Sequence, residues 1–142
     1  MTKLQAIRQF ADTVLGEKVV IARRRSDWGM DIQDTYPRLL LPQDLQQNDS
    51  QDKLFRKDFI SRYKGGRGFA NVTLSILHEI GHWFTRFEID WIEYFALQDQ
   101  VSGMDYFALE AEQKATNWAI KWLSDPEHRK IAKAFEINYF GH

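Results

Sequence analysis

Two of the chain's four histidines, His78 and His82, stand four positions apart in the stretch SILHEIGHWF, which covers residues 75–84. An α-helix advances 3.6 residues per turn, so side chains at positions i and i+4 lie on one face, about 6 Å apart along the axis. Two imidazoles placed in this way can bind the same metal ion. We therefore interpret the stretch as a metal-binding helix.

Glu79, which follows His78 directly, indicates what a bound metal would do. At that position its side chain points too far round the helix to be a third ligand, but it can reach a water molecule beside the ion. Zinc lowers the pKa of such a water to about 7, and a carboxylate can take the proton as the water attacks a carbonyl carbon. The spacing H-E-x-x-H is therefore typical of zinc hydrolases, with Glu79 as general base.

A buried helix that contains these three residues by coincidence is the simpler alternative. Their neighbours Ile76 and Ile80 are apolar, and polar groups in such a segment need partners or cost a few kcal/mol each. A metal ion supplies a partner. The chain has no cysteine, so the ligands must be His, Asp or Glu. We therefore expect Zn²⁺ bound by His78 and His82.

A catalytic zinc site has three protein ligands, so the third must come from another element. Glu110 and Glu112 lie two positions apart on a downstream helix, where their side chains face about 200° from each other. Glu112 shares its face with Ala115 and Ala119, small residues that allow a close approach of two helices. The spacing favours Glu112 and leaves Glu110 as the alternative.

Several further residues could take part in binding or catalysis. A Tyr, His or Arg side chain often stabilises the charge that develops during peptide hydrolysis, and nothing in the sequence ranks the available ones. His128 is expected to be a solvated surface residue. Trp28, in a glycine-containing turn, is the tryptophan we expect to contact a partner. The open candidates for charge stabilisation are Arg67, Tyr94, Tyr106 and His128.

Apolar periodicity and capping residues predict the elements that position these side chains. The pattern indicates a helix-rich α+β fold with a small N-terminal sheet and a zincin-like helix, in a single domain over residues 1–142. Two prolines in the second strand favour a sheet edge or a strand end. The predicted elements are a helix from Thr2 to Gly16, strands at 18–24 and 36–42, a turn at 26–31, helices at 53–64, 70–85 (capped by Asn71) and 106–123 (capped by Asp105), and a final helix capped by Ser124 or Asp125.

Length and charge limit the function classes. The 142 residues, 44% of them apolar, suit one compact domain. A net charge of −1 gives no reason to expect a nucleic acid or an anionic membrane as partner. No signal peptide and no membrane-spanning run are visible, so the expected location is the cytoplasm.

The motif HEIGH, followed about thirty residues later by EQKATNWAIKWL, resembles the ImmA/IrrE group of small zinc metallopeptidases. These are minimal gluzincins, often carried by phages and mobile elements. The resemblance covers residues 70–125 and implies zinc bound by two histidines and a glutamate. Glu112 falls on the ligand glutamate, and Thr116 stands where the family usually has Asn or Asp. Lys114 stands where a second glutamate is common.

These residues predict a zinc-dependent metalloprotease that hydrolyses a peptide bond in a protein or peptide substrate. Its substrate would lie along an edge strand beside the metal-binding helix. One alternative is a catalytically weak or inactive protein of the same fold that acts as a partner-binding module. Another is a scaffold in which zinc only ties two helices together. Glu79 favours the enzyme, because neither alternative needs a base at that position.

Overall fold

A computed structural model describes residues 1–23, 27–33, 35–45 and 50–141, which form a helix-rich α+β domain with a small sheet. This confirms the fold class predicted from the sequence. The helices are α1 (Lys3–Leu15), α2 (Ser50–Arg62), α3 (Asn71–Thr85), α4 (Trp91–Gln98), α5 (Met104–Phe107), α6 (Glu110–Leu123) and α7 (Pro126–Phe140). The strands are β1 (Val20–Arg23), β2 (Gly29–Asp31) and β3 (Arg38–Leu41), and 3-10 turns cover Lys64–Gly68 and Arg86–Glu88.

Local capping explains where α1 begins and ends and where α7 begins, as predicted. The Thr2 side chain accepts a hydrogen bond from the backbone N–H of Gln5, and the Gln5 side chain accepts one from Thr2. Gly16 ends α1 in the left-handed conformation, at φ +74°. Asp125 caps α7, which begins at Pro126.

The sheet has the order β1-β3-β2, with β1 parallel and β2 antiparallel to β3. β3 is therefore the central strand, and its flanking prolines mark strand ends rather than an edge. The turn predicted at 26–31 is wrong for Gly29–Asp31, which pairs with β3. Three residues are too few to show alternation in the sequence. Residues 24 and 26, at the ends of the predicted strand and turn, lie outside the described residues.

The start of α3 depends on a distant carboxylate rather than on the predicted cap. Asn71 is the first helical residue, and its Oδ1 accepts a hydrogen bond from Arg56 at 2.8 Å. A Glu136 carboxylate oxygen, from α7, accepts from the backbone N–H of Ala70 at 2.7 Å and from the Thr73 hydroxyl at 2.6 Å. Glu136 thus satisfies the N-terminal groups that a local cap would otherwise serve.

The single helix predicted at 106–123 is wrong, because the chain breaks at Ala108 and Leu109 into α5 and α6. Leu109 leaves the helical region at ψ 142° and is the residue from which α6 starts. The predicted cap Asp105 therefore belongs to the short α5. This break places Glu110 and Glu112 in the first turn of α6, where carboxylates interact favourably with the helix dipole.

α3 is the central helix, with 12 of its 15 residues buried. It packs against α6 in the antiparallel sense, because His78 contacts Thr116 while His82 contacts Glu112. A Cβ on Gly81 would collide with the main chain of Ala115, so glycine allows this close approach. Among the residues described, no helix is long and apolar enough to cross a lipid bilayer.

Candidate metal centre

The two imidazoles of α3 lie side by side at the interface with α6. His78 and His82 are only 4% and 8% exposed, and their ring centroids are 4.8 Å apart with nearly perpendicular planes. The i, i+4 spacing thus brings both rings to one face, as a metal-binding pair requires. Phe55 packs edge-on against His78, with the ring centroids 5.1 Å apart, and holds that imidazole from the apolar side.

Glu112 reaches both imidazoles from α6. Its Oε1 lies 2.9 Å from Nε2 of His78, and Nε2 of His82 lies 3.2 Å from both carboxylate oxygens. Glu112 is 3% exposed, whereas the Glu110 side chain is 71% exposed and pairs with Lys114 at 3.5 Å. The structure therefore brings Glu112, and not Glu110, to the two histidines.

These three side chains form a donor set that suits zinc. Ligand atoms about 2.0–2.2 Å from a tetrahedral zinc ion lie roughly 3.3–3.5 Å from one another. The separations of 2.9 and 3.2 Å between imidazole nitrogens and carboxylate oxygens are slightly smaller, so a small outward shift would fit the ion. Two imidazoles and one carboxylate are also ligands that zinc accepts at catalytic sites.

Glu79 belongs to a looser group with the two histidines. One potential ligand atom from each of His78, Glu79 and His82 lies within 4.8 Å of the others. Glu112 is at hydrogen-bond distance from both imidazoles, so we assign the third-ligand position to Glu112. Glu79 is then left in the cleft beside the ligands.

Thr116 contacts the ring nitrogen of His78 that does not face Glu112. Its buried hydroxyl lies 2.8 Å from Nδ1 of His78. When Nδ1–H of His78 donates a hydrogen bond to the hydroxyl oxygen, Nε2 is unprotonated and its lone pair points toward Glu112. A metal ligand needs this tautomer. Thr116 therefore fixes the orientation of the His78 ring. Nδ1 of His82 is buried and has no hydrogen-bond partner within the described parts of the chain.

The cluster favours a positive charge next to Glu112. Burial alone would raise the pKa of Glu112, but the imidazoles of His82 and His78 hold it far below its usual range. Burial alone would lower the pKa of His82, but the carboxylates of Glu112 and Glu79 raise it to about 9. Glu112 is thus ionised, and without a metal a proton on His82 supplies the balancing charge. A metal cation would displace that proton.

Two tyrosines extend the hydrogen-bond network away from Glu112. The Tyr94 hydroxyl donates to Oε2 of Glu112 at 2.6 Å, and the Tyr106 hydroxyl lies 3.0 Å from that of Tyr94. Because Tyr94 gives its only hydroxyl hydrogen to Glu112, Tyr106 must donate to Tyr94. Burial and the nearby Glu112 carboxylate raise the pKa of both tyrosines, which therefore stay protonated.

The other two candidates for charge stabilisation lie elsewhere. Arg67 is exposed in the 3-10 turn before α3, and its carbonyl accepts a hydrogen bond from Arg56. His128 stacks on Trp122 with ring centroids 4.3 Å apart, and its Nδ1 lies 2.7 Å from the Trp122 carbonyl oxygen. The expectation of a solvated His128 is thus only partly right, because one face of the ring is covered.

Glu79 lines a cleft of about 170 Å³ together with His82, Tyr94 and Tyr106. Its side chain is half-buried, and burial raises its pKa even though the two neighbouring imidazoles lower it. Trp28 also lines the cleft, and its contact with a partner stays a prediction. The contribution of α4 was missed, because its sequence WIEYFALQ gives no sign of which side faces the metal-binding helix.

Comparisons with models of known protein families, with curated proteins and with solved structures found no match for this chain.

Proposed function

We propose that this protein is a zinc-dependent peptidase that hydrolyses a peptide bond in a protein substrate. His78, His82 and Glu112 would hold the zinc, and Glu79 would act as general base. The observation that carries the proposal is that the Glu112 carboxylate lies within 3.2 Å of both imidazoles, beside a cleft that His82 and Glu79 line. A zinc ion there would supply a Lewis acid that polarises the peptide carbonyl and lowers the pKa of a water molecule to about 7.

Glu79 has the position and the environment of a base. It follows a ligand directly in the sequence, yet its carboxylate faces the cleft rather than α6. Its raised pKa makes it a stronger proton acceptor than an exposed glutamate. A carboxylate oxygen of Glu79 would take a proton from water and then deliver it to the nitrogen of the leaving amine.

Tyr106 is the better placed of the two tyrosines for stabilising the oxyanion. The Tyr94 proton is committed to the ionised Glu112 carboxylate, which orients that carboxylate. Tyr106 donates only to the neutral Tyr94 hydroxyl, so breaking its hydrogen bond costs less free energy. Rotation of the Tyr106 hydroxyl toward the cleft would offer a hydrogen bond to the negative oxygen of the tetrahedral intermediate.

The resemblance to the ImmA/IrrE metallopeptidases supports the same function. The residues that carry it are those brought together in the cluster, with Thr116 in contact with His78 at 2.8 Å. We therefore propose that the chain is a member of this group in which threonine takes the supporting role of the usual Asn or Asp.

A partner-binding protein is the second candidate, and one observation favours it. The Glu112 carboxylate already receives hydrogen bonds from His78, His82 and Tyr94, so this carboxylate has partners without a metal ion. Such a cluster could stabilise the α3–α6 interface without any turnover. The strongly exposed Phe87 and Ile92, both 87% exposed, would then be the natural contact residues.

Replacement of Glu79 separates the two candidates. The zinc-loaded wild-type protein and Glu79→Gln would be incubated with a random peptide library, and newly formed amino termini would be counted by mass spectrometry. The enzyme proposal predicts cleavage by the wild type and a loss of about a hundredfold or more in Glu79→Gln, with zinc retained. The exposed Glu110→Gln serves as a matched control that should cleave normally. A wild type that binds zinc but cleaves nothing would favour the binding protein. A fully active Glu79→Gln would exclude Glu79 as the general base.

A further inference from the structure

α4 is an apolar helix that contributes nothing to the core. Apart from its tyrosine, its sequence WIEYFALQ contains four aromatic or aliphatic residues larger than alanine, and not one residue of the helix is buried. Trp91 and Phe95 stand at positions i and i+4, so they share one face, and both line the cleft beside Glu79 and His82. The exposed apolar face of α4 is therefore part of the wall of the proposed active site.

The Trp91 ring is held in place by its polar atom. Its indole N–H donates to the carbonyl oxygen of Arg86 at 2.7 Å, which leaves the apolar face of the indole for the cleft. The centroids of His82 and Trp91 are 6.1 Å apart, and those of Trp91 and Phe95 are also 6.1 Å apart. A row of rings thus leads from a metal-binding imidazole to the rim.

The partly buried side chains of Trp28, Met30 and Ile32 add further apolar lining to the cleft. The cleft volume of about 170 Å³ is close to the volume of roughly 150 Å³ that accommodates one benzene molecule in an engineered cavity. The described lining residues include the acids Asp27 and Glu79 but no lysine or arginine. The polar lining thus includes two carboxylates and the His82 imidazole, and the aromatic rings of α4 provide the apolar contact.

We propose that this cleft selects one large apolar side chain, aromatic or branched aliphatic, next to the bond to be hydrolysed. Trp91 and Phe95 are then the specificity-determining residues. The assignment of the subsite to a scissile bond rests on the proposed peptidase function, since the subsite adjoins His82. Recognition of the side chain itself depends only on the walls, so binding and cleavage can be measured separately.

The test uses the peptides acetyl-Ala-Ala-X-Ala-amide with Phe, Leu, Ala or Asp at X. Binding to zinc-loaded Glu79→Gln, chosen to prevent turnover, would be followed through the NMR signals of the indole N–H groups. The Trp91 signal would be assigned with Trp91→Phe. We expect the Phe and Leu peptides to bind about tenfold or more tightly than the Ala peptide, because the side chain leaves water for an apolar wall. The Asp side chain has little apolar surface to bury against these rings, so the Asp peptide should bind less tightly than the Phe and Leu peptides.

Variants of α4 test whether this helix provides the preference. Phe95→Ala, made in the Glu79→Gln background, should reduce the preference for Phe and Leu over Ala severalfold, and Trp91→Ala should reduce it further. Ile92→Ala is the matched control, because Ile92 is on the same helix but is 87% exposed and does not line the cleft. Equal binding of all four peptides, or an equal effect of Ile92→Ala and Phe95→Ala, would overturn the proposal.

Failure of the peptidase function gives a different result. If the peptides bind with the expected preference but the wild type cleaves none of them, the subsite stands and the peptidase proposal fails. If the wild type cleaves all four equally, the peptidase proposal stands and the subsite is wrong. If neither Trp91→Ala nor Phe95→Ala changes the affinity for the Leu peptide, the apolar side chain is recognised elsewhere. That result would also contradict the proposed subsite.

Discussion

Gly81 of α3 packs directly against the main chain of Ala115 in α6. The two histidines flank Gly81 on α3, and Glu112 and Thr116 flank Ala115 on α6. A Cβ at position 81 would lie 3.0 Å from both the carbonyl carbon and the Cα of Ala115, and closer still to its carbonyl oxygen. The candidate metal-binding cluster therefore depends on a contact in which neither helix has room to move inward.

Gly81→Ala should destabilise the protein although alanine is the better helix former. The gain in helix propensity is about 1 kcal/mol, whereas forcing a methyl group against a buried backbone costs about 1–3 kcal/mol or more. We expect a net loss of free energy of unfolding, measured by urea denaturation, and weaker zinc binding because the helices move apart. Gly68→Ala is the control, since its Cβ would meet only the Lys133 amine at 4.0 Å. Equal stability of Gly81→Ala and the wild type would contradict this packing.

Thr116→Val should weaken zinc binding without removing a ligand. Valine keeps the shape of threonine but leaves Nδ1 of His78 unpaired, so the imidazole loses its orientation. We expect a 10- to 100-fold loss of zinc affinity, the usual range for such supporting contacts, measured by competition with a chelator. Thr85→Val is the matched control, because its hydroxyl is also buried but donates to the carbonyl of Gly81. A similar loss of affinity in both variants would mean that general destabilisation is the cause.

Glu112→Gln and Glu110→Gln distinguish the two candidates for third ligand. The Glu112 carboxylate contacts both imidazoles, whereas the Glu110 side chain is 71% exposed beside Lys114. Loss of a ligand should lower zinc affinity by more than about a hundredfold, beyond the usual effect of a supporting residue. Glu110→Gln should bind zinc like the wild type. The reverse ranking in a chelator competition would move the ligand to Glu110.

The sequence was sufficient for the parts of the site that depend on helical spacing. His78 and His82 share a helix face because they are four positions apart. Glu110 and Glu112 are two positions apart on one helix, so their side chains face in different directions. The small residues on the same face as Glu112 indicated a close contact between two helices. The packing of buried Ala115 against Gly81 is that contact. These features are local, so a single segment carries the whole signal.

Contacts between distant segments could not be read in the same way. Glu136 serves the start of α3 from 66 residues away, and Tyr94 reaches Glu112 from a helix with no buried residue. β2 is recognisable only by its pairing with β3. The break before α6 lies in a run that keeps its apolar content, so periodicity alone predicted one long helix. Tertiary packing decides each of these features, and local propensity is too weak to oppose it.

The most direct test of the central claim is the zinc content of the purified protein. The measurement is metal per chain by mass spectrometry after dialysis against a weak chelator, for the wild type, His78→Ala, His82→Ala and His128→Ala. His128 is the control, since it stacks on Trp122 away from the cluster. We predict about one zinc ion per chain in the wild type and in His128→Ala, and almost none in the other two variants. A wild type without zinc, or full zinc content in both His78→Ala and His82→Ala, would contradict the account.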